Sequence, residues 1–455
     1  MGRDVVSSLL ATATEALERE FAELPEWEPA GESHAPEAMA AVLAQTAHRL
    51  GDNYPYFHPL YAGQMLKPPH PVARAAYALA MKINPNNHAR DGGRASSEME
   101  IEAVAEIARM FGWPGGYLGH LTSSGTLANL EALWIAGQER PGKRILASKQ
   151  AHYTHSRISG VLKLDFSAIA ADNRGRMDLN ALEDALKRGD VGTVVATLGT
   201  TAIGAVDPLP GILELSARYG VRVHVDGAYG GYFRLIGDAL EESSRGAFAS
   251  IDHADSIVID PHKHGLQPYG CGCVLFKDAG VGRHYKHDSP YTYFTSKELH
   301  LGEISLECSR AGAAAVALWT TQKLLPLTCD GEFAAGLRKG RAAAKELDRR
   351  LRADAGGRFA GLAAGGPELD IVVWTVLGKS TEDRSRRAEE TFAACAERGL
   401  HLALVDLPQK WFGPGHSGDT PPKTVTCLRS VLMKPEHENW LPEIWSRLSE
   451  SVSRS

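Results

Sequence analysis

The stretch Ser256-Ile-Val-Ile-Asp-Pro-His-Lys-His264 joins a short apolar run to a charged turn. The run Ser256 to Ile259 is typical of a strand that is buried on both faces of a parallel sheet. Lys263 follows this strand and should lie at the carboxyl end of the sheet, where α/β folds open their ligand crevice. A partly desolvated amine in that place suits Schiff-base chemistry, although a surface lysine in a loop is the alternative.

Four further apolar runs of the same kind surround this stretch, and helical patterns separate them. They are Arg144 to Ala147, Thr193 to Leu198, Val221 to Val225 and Gly272 to Phe276. Buried runs that alternate with helices predict an α/β fold with a mostly parallel sheet covered by helices on both faces. We assign residues 66–325 to this large domain and residues 1–65 to an N-terminal helical arm, which begins with the amphipathic segment Val5 to Leu24.

The pattern changes after Pro326, where a long charged helix is followed by further strand and helix signals. The predicted elements are the helices Phe333 to Ala353, Ser385 to Arg398 and Trp440 to Val452, and the strands Leu369 to Leu377, Leu400 to Val405 and Thr424 to Met433. This order predicts a small α+β domain over residues 326–455, with a largely antiparallel sheet.

The composition disfavours several classes of function. The 455 residues are 44% hydrophobic and 23% charged, as in ordinary globular proteins, and the formal net charge is −6. Such a charge provides no general attraction to nucleic acid or to an anionic membrane. The apolar run Ala313 to Trp319 is far shorter than the roughly 18 residues that span a bilayer, and the N-terminus carries acidic residues where a signal peptide would be apolar. We therefore expect a cytoplasmic protein that acts on a small molecule.

The six cysteines lie mostly in apolar stretches, which favours reduced thiols in the core over disulfides. Cys271 and Cys273 have a spacing that could serve zinc, but no second pair of cysteines or histidines follows at the spacing of a zinc finger. We therefore expect no metal site.

A second strand end carries an acid. In Val221-Arg-Val-His-Val-Asp-Gly-Ala-Tyr-Gly-Gly231, Asp226 ends an apolar run and precedes small residues. By itself this aspartate could cap a helix. Together with Lys263 it fits a pyridoxal phosphate site, which needs a lysine to bind the aldehyde and a carboxylate that keeps the pyridine nitrogen protonated.

Small hydroxyl residues precede a helix in Leu121-Thr-Ser-Ser-Gly-Thr-Leu-Ala-Asn129. The predicted helix Leu127 to Ala136 would direct its first N–H groups toward an anion, and the hydroxyls of Ser124 and Thr126 could add hydrogen bonds. A plain helix cap is the alternative. No Gly-x-x-x-x-Gly-Lys followed by Ser or Thr occurs, so a mononucleotide loop is disfavoured.

Five motifs follow one another in an order that resembles the group II pyridoxal-phosphate-dependent amino-acid decarboxylases, which share the fold-type I architecture of aspartate aminotransferase. They are Thr-Ser-Ser-Gly-Thr-Leu-Ala-Asn at 122–129, His-Tyr-Thr at 152–154, Gly-Thr-Thr at 199–201, His-Val-Asp-Gly-Ala-Tyr-Gly-Gly at 224–231 and Asp-Pro-His-Lys at 260–263. The resemblance covers roughly residues 55–330 and extends more loosely through Leu428-Arg429.

The resemblance implies a fold-type I large domain with a seven-stranded, mostly parallel sheet, and it implies a role for each matching residue. Lys263 would hold the cofactor as a Schiff base, Asp226 would pair with the pyridinium nitrogen, and His152 would stack on the ring and face the substrate carboxylate. The other implied cofactor-binding residues are Ser124, Gly125 and Thr126 at the phosphate, His262 nearby, Thr200 near the ring oxygen, and Ala228 under the ring.

The implied reaction removes the α-carboxylate of an L-amino acid as CO2 and leaves an amine, in a homodimer whose partner closes the active site. A loop tyrosine delivers the proton in this family, and here Tyr291 is our first choice and Tyr293 the second. The open alternatives keep the cofactor but change the outcome: oxygen-dependent decarboxylation to an aldehyde, Cα–Cβ cleavage, or transamination. The intact set of Lys263, Asp226 and His152 disfavours a non-catalytic binding or scaffold protein.

Three features depart from the family pattern or have open roles. His264 follows the lysine where many relatives have an aromatic residue. In the polar stretch 84–93, His88 or Arg90 could pair with an acidic or polar group of the substrate, and a solvated loop is equally compatible. Arg310 could bind substrate or cofactor, but a structural ion pair is the preferred interpretation.

Overall fold

Two β-sheets form the framework of the computed structural model, which describes residues 5–27, 34–286, 301–413 and 424–452. The strands of the large sheet are β1 (Leu118–Thr122), β2 (Arg144–Ser148), β3 (Phe166–Ile169), β4 (Val191–Thr197), β5 (Arg222–Asp226), β6 (Ser256–Ile259) and β7 (Gly272–Phe276). The strands of the small sheet are β8 (Phe359–Gly361), β9 (Ile371–Val376), β10 (Ala403–Pro408) and β11 (Thr424–Val431).

The helices cover these sheets and form the N-terminal region. They are α1 (Val5–Glu20), α2 (Pro36–Leu50), α3 (Pro71–Ala80), α4 (Arg94–Met110), α5 (Gly125–Glu139), α6 (Thr154–Val161), α7 (Leu179–Leu186), α8 (Leu209–Tyr219), α9 (Glu242–Ala249), α10 (Gly312–Leu324), α11 (Glu332–Arg352), α12 (Thr381–Glu397) and α13 (His437–Ser451). Helix α10 packs against α3 and α4, α1 packs against α3, and α5 lies against β6 and β7.

The large sheet has the strand order β1-β7-β6-β5-β4-β2-β3. Only β7 runs antiparallel to its neighbours β1 and β6, and the other neighbouring pairs are parallel. The predicted α/β fold with a mostly parallel seven-stranded sheet is therefore confirmed. Because β5 and β6 are adjacent and parallel, with Asp226 opposite Val258, the residues that follow both strands meet at one edge.

Two strands of this sheet and one of the small sheet were not predicted. In β1, Gly119 and His120 interrupt the apolar run, and Gly119 is needed because a Cβ there would overlap the side chain of Leu275. Strand β3 is an edge strand whose side chains are only partly buried, so its hydropathy is weak. Strand β8 has three residues, too few for a periodic signal.

The small sheet has the order β10-β11-β9-β8 with antiparallel pairing throughout, as predicted. Helix α11 buries Leu337, Leu347 and Leu351 against this region. The segment before α3 also joins it, because the N–H of Ala62 donates to the carbonyl of His401 and the N–H of Val431 donates to the carbonyl of Ala62. The exact domain boundaries stay predictions.

Three further observations concern the described residues alone. No helix among them is both long and apolar enough to cross a bilayer. No group of three or more His, Cys, Asp or Glu side chains among them is placed to hold a metal ion. The six cysteines are unpaired; Cys308 and Cys329 are exposed and the others are buried.

Candidate active site

A cavity of about 190 Å³ lies where the carboxyl ends of β4, β5 and β6 meet the N-terminus of α5. It is lined by Ser124, Gly125, Thr126, Asn129, His152, Thr154, Thr197, Gly199, Thr201, Asp226, Ala228, Tyr229, Asp260, His262 and Lys263. The structure thus brings together the cofactor-binding residues predicted from the sequence, with the exception of Thr200.

Thr200 is fully buried behind the cavity wall, and its hydroxyl accepts a hydrogen bond from the N–H of Ala205 at 3.0 Å. The turn after β4 causes this placement, because Gly199 has φ +103° and reverses the chain direction there. The neighbours Gly199 and Thr201 line the cavity instead. The Thr200 hydroxyl is thus used within the turn, and its role beside the ring oxygen stays a prediction, while Thr197, at the end of β4, presents a hydroxyl at the cavity.

Asp226 is buried at the end of β5, and each of its oxygens has a partner. Oδ1 accepts the N–H of Ala228 at 3.1 Å, and Oδ2 lies 2.8 Å from Nε2 of His155. Burial alone would raise the pKa of Asp226, but the hydrogen bond from His155 and the nearby charge of Lys263 hold that pKa far below its usual value. Asp226 is therefore an ionised carboxylate inside the protein.

Lys263 lies beside a second buried acid. Its Nζ is 3.1 Å from Oδ2 of Asp260, and the same oxygen is 3.5 Å from Nε2 of His262. Nδ1 of His262 is 2.7 Å from the carbonyl of Cys271, and burial lowers the pKa of this histidine. The sequence Asp-Pro-His-Lys thus folds into a turn that holds the lysine amine at the cavity.

The N-terminus of α5 forms an open cradle. Ser124 is the N-cap, and its hydroxyl accepts the N–H of Leu127 at 3.2 Å. A Cβ on Gly125 would overlap the carboxylate of Asp260, so only glycine allows this close approach. Asn129 fixes the first turn by donating to the carbonyl of Gly125 at 2.9 Å. The first N–H groups of a helix have no partner inside it, and they attract an anion.

His152 is held in one tautomer. Its Nδ1 accepts the N–H of Thr154 at 3.2 Å, so the neutral ring carries its proton on Nε2. Burial lowers the pKa of His152, and the charge of Lys263 lowers it further, against the opposing effect of Asp226. The ring stacks on Tyr153 at 4.5 Å between centroids. His152 therefore offers a flat face and one N–H donor.

These residues fit the pyridoxal phosphate expected from the sequence. The cradle suits a phosphate, the amine of Lys263 suits an aldehyde, and the ionised Asp226 suits a protonated ring nitrogen. The hydroxyl of Thr197 is buried at the cavity without a hydrogen-bond partner among the described residues. A polar atom in this position is normally satisfied, so a bound polar molecule suits the site.

The residues with open roles lie elsewhere. Arg310 is buried and pairs with Glu100 at 2.9 Å, as a structural ion pair would. Arg90 pairs with Glu98 at 2.5 Å, and neither His88 nor Arg90 lines the cavity. Tyr291 and Tyr293 fall outside the described residues, so the assignment of the proton donor stays a prediction.

Sequence reasoning missed His155, Thr197, Asp260 and Tyr229 as parts of the site. Asp260 stood inside the deciding stretch, and Thr197 was the last residue but one of the predicted strand Thr193 to Leu198, so the signal used for Asp226 could have found both. His155 follows His152 by three residues, which places it on the first turn of α6. Nothing in a single sequence shows that this turn faces Asp226.

Comparisons with known proteins agree with this geometry. The model of the pyridoxal-dependent decarboxylase conserved domain matches residues 53–360. L-tyrosine decarboxylase of Enterococcus faecium is 29% identical over 393 residues, which cover 64% of each chain. A probable L-tyrosine/L-aspartate decarboxylase of Methanothermobacter thermautotrophicus is 28% identical over 342 residues, 72% of this chain and 86% of that protein. L-2,4-diaminobutyrate decarboxylase of Rhizobium meliloti is 31% identical over 300 residues, 62% of this chain and 59% of that enzyme.

The chain thus spans less than two thirds of the length of the Enterococcus and Rhizobium enzymes. Solved structures show the same fold over nearly the whole chain. Mouse CSAD superposes with a TM-score of 0.78 at 21% identity, covering 97% of this chain and 92% of that one. Oryza sativa TDC with PLP and tryptamine superposes with a TM-score of 0.77 at 19% identity, covering 100% and 99%.

Proposed function

The chain belongs to the pyridoxal-dependent decarboxylase family, and from this premise we propose that it removes the α-carboxylate of an L-amino acid as CO2 and releases the amine. Pyridoxal 5'-phosphate is the cofactor of this family. One observation carries the proposal: the ionised Asp226, the amine of Lys263 and the N-terminus of α5 all face a single cavity. A non-catalytic scaffold protein does not require a buried aspartate that stays ionised.

Each of these residues would have a distinct task. Bound pyridoxal phosphate supplies a ring that withdraws electrons from the bond to be broken, most strongly while its nitrogen stays protonated. Asp226 would hold that proton in place, and the N–H groups at Ser124 to Thr126 would bind the phosphate. Lys263 would hold the aldehyde carbon covalently and give it up to the substrate amine.

His152 and Ala228 would fix the plane of the ring by packing on its two faces. The scissile bond must stand perpendicular to that plane for its electrons to be withdrawn. The Nε2–H of His152 is the donor available to orient the substrate carboxylate in this way. Tyr291, with Tyr293 as second choice, would then deliver a proton to Cα.

The substrate is an amino acid, and the relatives point to candidates of different charge. Their names mention L-tyrosine, L-aspartate and L-2,4-diaminobutyrate. These side chains are aromatic, anionic and cationic, respectively. An activity assay with the three amino acids would therefore show which class of side chain the enzyme accepts. An assay of CO2, amine, aldehyde, peroxide and keto acid in parallel would distinguish simple decarboxylation from the alternatives that share the cofactor.

The homodimer is part of the same proposal. Helix α2 has no buried residue, and its apolar side chains Met39, Val42, Leu43 and Leu50 are exposed. An apolar helix face of this kind marks a surface for association. The family resemblance further implies that the partner subunit closes the cavity.

Lys263→Ala tests the cofactor chemistry directly. The wild-type protein should show a visible absorption band that borohydride removes, because the lysine–cofactor bond is reduced. The variant should lack the borohydride-sensitive band and lose at least about a thousandfold in kcat. Lys277→Ala, an exposed lysine just after β7, is the matched control and should behave as wild type. A wild-type protein without the band would contradict the proposed function.

A further inference from the structure

A second cavity, of about 380 Å³, lies away from the candidate active site. Its walls come from the segment before α3, the loop after Lys263, the first turns of α11 and the turn before α13. The residues that matter here are Lys67, His264, Phe333, Leu337 and Lys434. The volume lies within the range of about 300–1,000 Å³ that is usual for small-molecule sites.

Two lysine side chains lie at this cavity without a direct ion pair among the described residues. The Lys434 side chain is almost fully buried, and its Nζ donates to the carbonyl of Tyr61 at 2.6 Å. The Nζ of Lys67, a partly buried residue, is 3.5 Å from the carbonyl of Met433. Among the described residues, no carboxylate oxygen lies within 4.0 Å of either nitrogen. Burial lowers the pKa of Lys67 to about 8 and that of Lys434 to about 7.

His264 adds an unsatisfied polar atom to the same cavity. The residue is 1% exposed, and its Nε2 is 3.3 Å from Oδ2 of Asp370. Its Nδ1 is buried and has no hydrogen-bond partner among the described residues. Buried polar atoms normally have a partner, so this end of the cavity is suited to a polar group of a ligand.

The opposite wall is apolar. Phe333 and Leu337 lie on successive turns of one face of α11, and both are buried. The carboxylates at the cavity, Glu332 and Glu436, belong to exposed residues. Against the larger effect of burial, Asp370 and Glu436 raise the pKa of Lys67, and Glu436 raises that of Lys434, but they act from beyond ion-pair distance. The cavity therefore combines a cationic end with an apolar wall.

We propose that this cavity binds a small organic anion. Its carboxylate or phosphate would pair with Lys434 and Lys67, and its apolar body would lie against Phe333 and Leu337. The bound anion would form the direct ion pairs that the two lysines lack, which offsets the cost of burying their charge. The proposal does not depend on the decarboxylase activity, because binding is measured directly.

Two short contacts connect this cavity to the candidate active site. Asp370, which faces His264, accepts the hydroxyl of Tyr229 at 2.6 Å, and Tyr229 lines the first cavity. His264 itself follows Lys263 in the chain. Ligand binding tests the proposal directly, without a measurement of enzymatic activity.

Calorimetric titration of the purified full chain, loaded with cofactor, tests the proposal with three probes. Benzoate has both an anionic head and an apolar body, inorganic phosphate has the charge alone, and benzyl alcohol has the body alone. Benzoate should bind saturably, at least tenfold more tightly than either of the others. Lys434→Met and Lys67→Met should each weaken benzoate at least tenfold. Lys345→Met, an exposed lysine farther along α11, should leave the affinity unchanged.

Several outcomes would overturn the proposal. Unchanged benzoate affinity in Lys67→Met would contradict the proposal. This result counts even if Lys434→Met does not fold because the carbonyl of Tyr61 loses its hydrogen-bond donor. Equal affinity for phosphate and benzoate would exclude an organic ligand. Displacement of benzoate by amino-acid substrate would place benzoate in the active site. Circular dichroism and thermal melting establish that each variant is folded.

Discussion

The charge on Asp226 depends on a residue that the family motif does not mark. His155 is fully buried, and its Nε2 is 2.8 Å from the carboxylate, while its Nδ1 has no partner among the described residues. Without this hydrogen bond, burial would favour the protonated acid. A protonated Asp226 could not hold a proton on the cofactor nitrogen, so His155 acts as a positioning residue for the proposed chemistry.

His155→Phe should therefore lower kcat by about ten- to hundredfold, the range seen when an outer partner of a functional group is lost. It should also move the acid limb of the pH–rate profile to higher pH. The sign follows from the pKa of Asp226: His155 holds it low, so its removal lets the carboxylate protonate at a higher pH. Steady-state kinetics measured between about pH 5 and 9 would show both effects.

Two companion variants separate this role from a general loss of structure. His155→Gln keeps a donor and should restore part of kcat and of the wild-type profile. Ser156→Ala, exposed on the same helix, should change neither. An acid limb that stays in place in His155→Phe, with kcat lowered, would reduce His155 to a packing residue.

Gly125 is required for a spatial reason that the sequence alone could not reveal. A Cβ there would overlap the carboxylate of Asp260, which in turn holds Lys263. Gly125→Ala should therefore displace the first turn of α5 or Asp260, and weaken cofactor binding at least tenfold. Equilibrium titration with pyridoxal phosphate, followed by tryptophan fluorescence, measures the Kd. Gly160→Ala, in α6 with open space around its Cβ position, should leave the Kd unchanged.

At the scale of elements, strands with continuous apolar runs were predictable and interrupted ones were not. Strands β4 and β6 are buried along their whole length, which is why four to seven consecutive apolar or small residues mark them. Strand β1 is almost as buried, but it contains Gly119, which packs closely against Leu275, and His120, whose Nε2 lies 3.0 Å from the buried Glu131 carboxylate. These contacts are visible only in three dimensions. Motif order predicted that the candidate cofactor residues at the strand ends lie together, and they line one cavity, whereas the turn after β4 leaves Thr200 outside its lining.

The junction between β4 and β5 depends on one close backbone approach. A Cβ on Gly230 would overlap the carbonyl oxygen of Leu198, just beyond the end of β4. Because backbone cannot move aside as a flexible side chain can, Gly230→Ala should destabilise the protein by about 2–3 kcal/mol. Urea-induced unfolding followed by fluorescence measures the change. Gly237→Ala, with no atom within 4 Å of its Cβ position, is the control, and equal stability of the two variants would contradict the steric explanation.

At the scale of the whole molecule, the sequence predicted a cofactor domain and a small domain. It did not predict which distant segments contact each other or which apolar surfaces stay exposed. Residues 60–62 lay in the predicted arm, yet Ala62 hydrogen-bonds to both His401 and Val431. Such contacts join segments more than three hundred residues apart, and no local pattern encodes them. The exposed apolar face of α2 is the converse case: no described residue of this chain buries it, and the proposed dimer would do so.

Helix α2 provides the test of assembly. If its apolar face is covered by a second copy of the chain, Leu43→Glu should convert dimer to monomer, because an unpaired charge would be buried in an apolar contact. Analytical ultracentrifugation at micromolar concentration measures the mass. Gln45→Glu, on the other side of the same helix, adds the same charge and should remain dimeric.

Since the partner would also close the active site, the Leu43→Glu monomer should retain bound cofactor less tightly and lose activity in proportion to its dissociation. A monomeric wild-type protein with full activity would show that the cavity needs no second subunit.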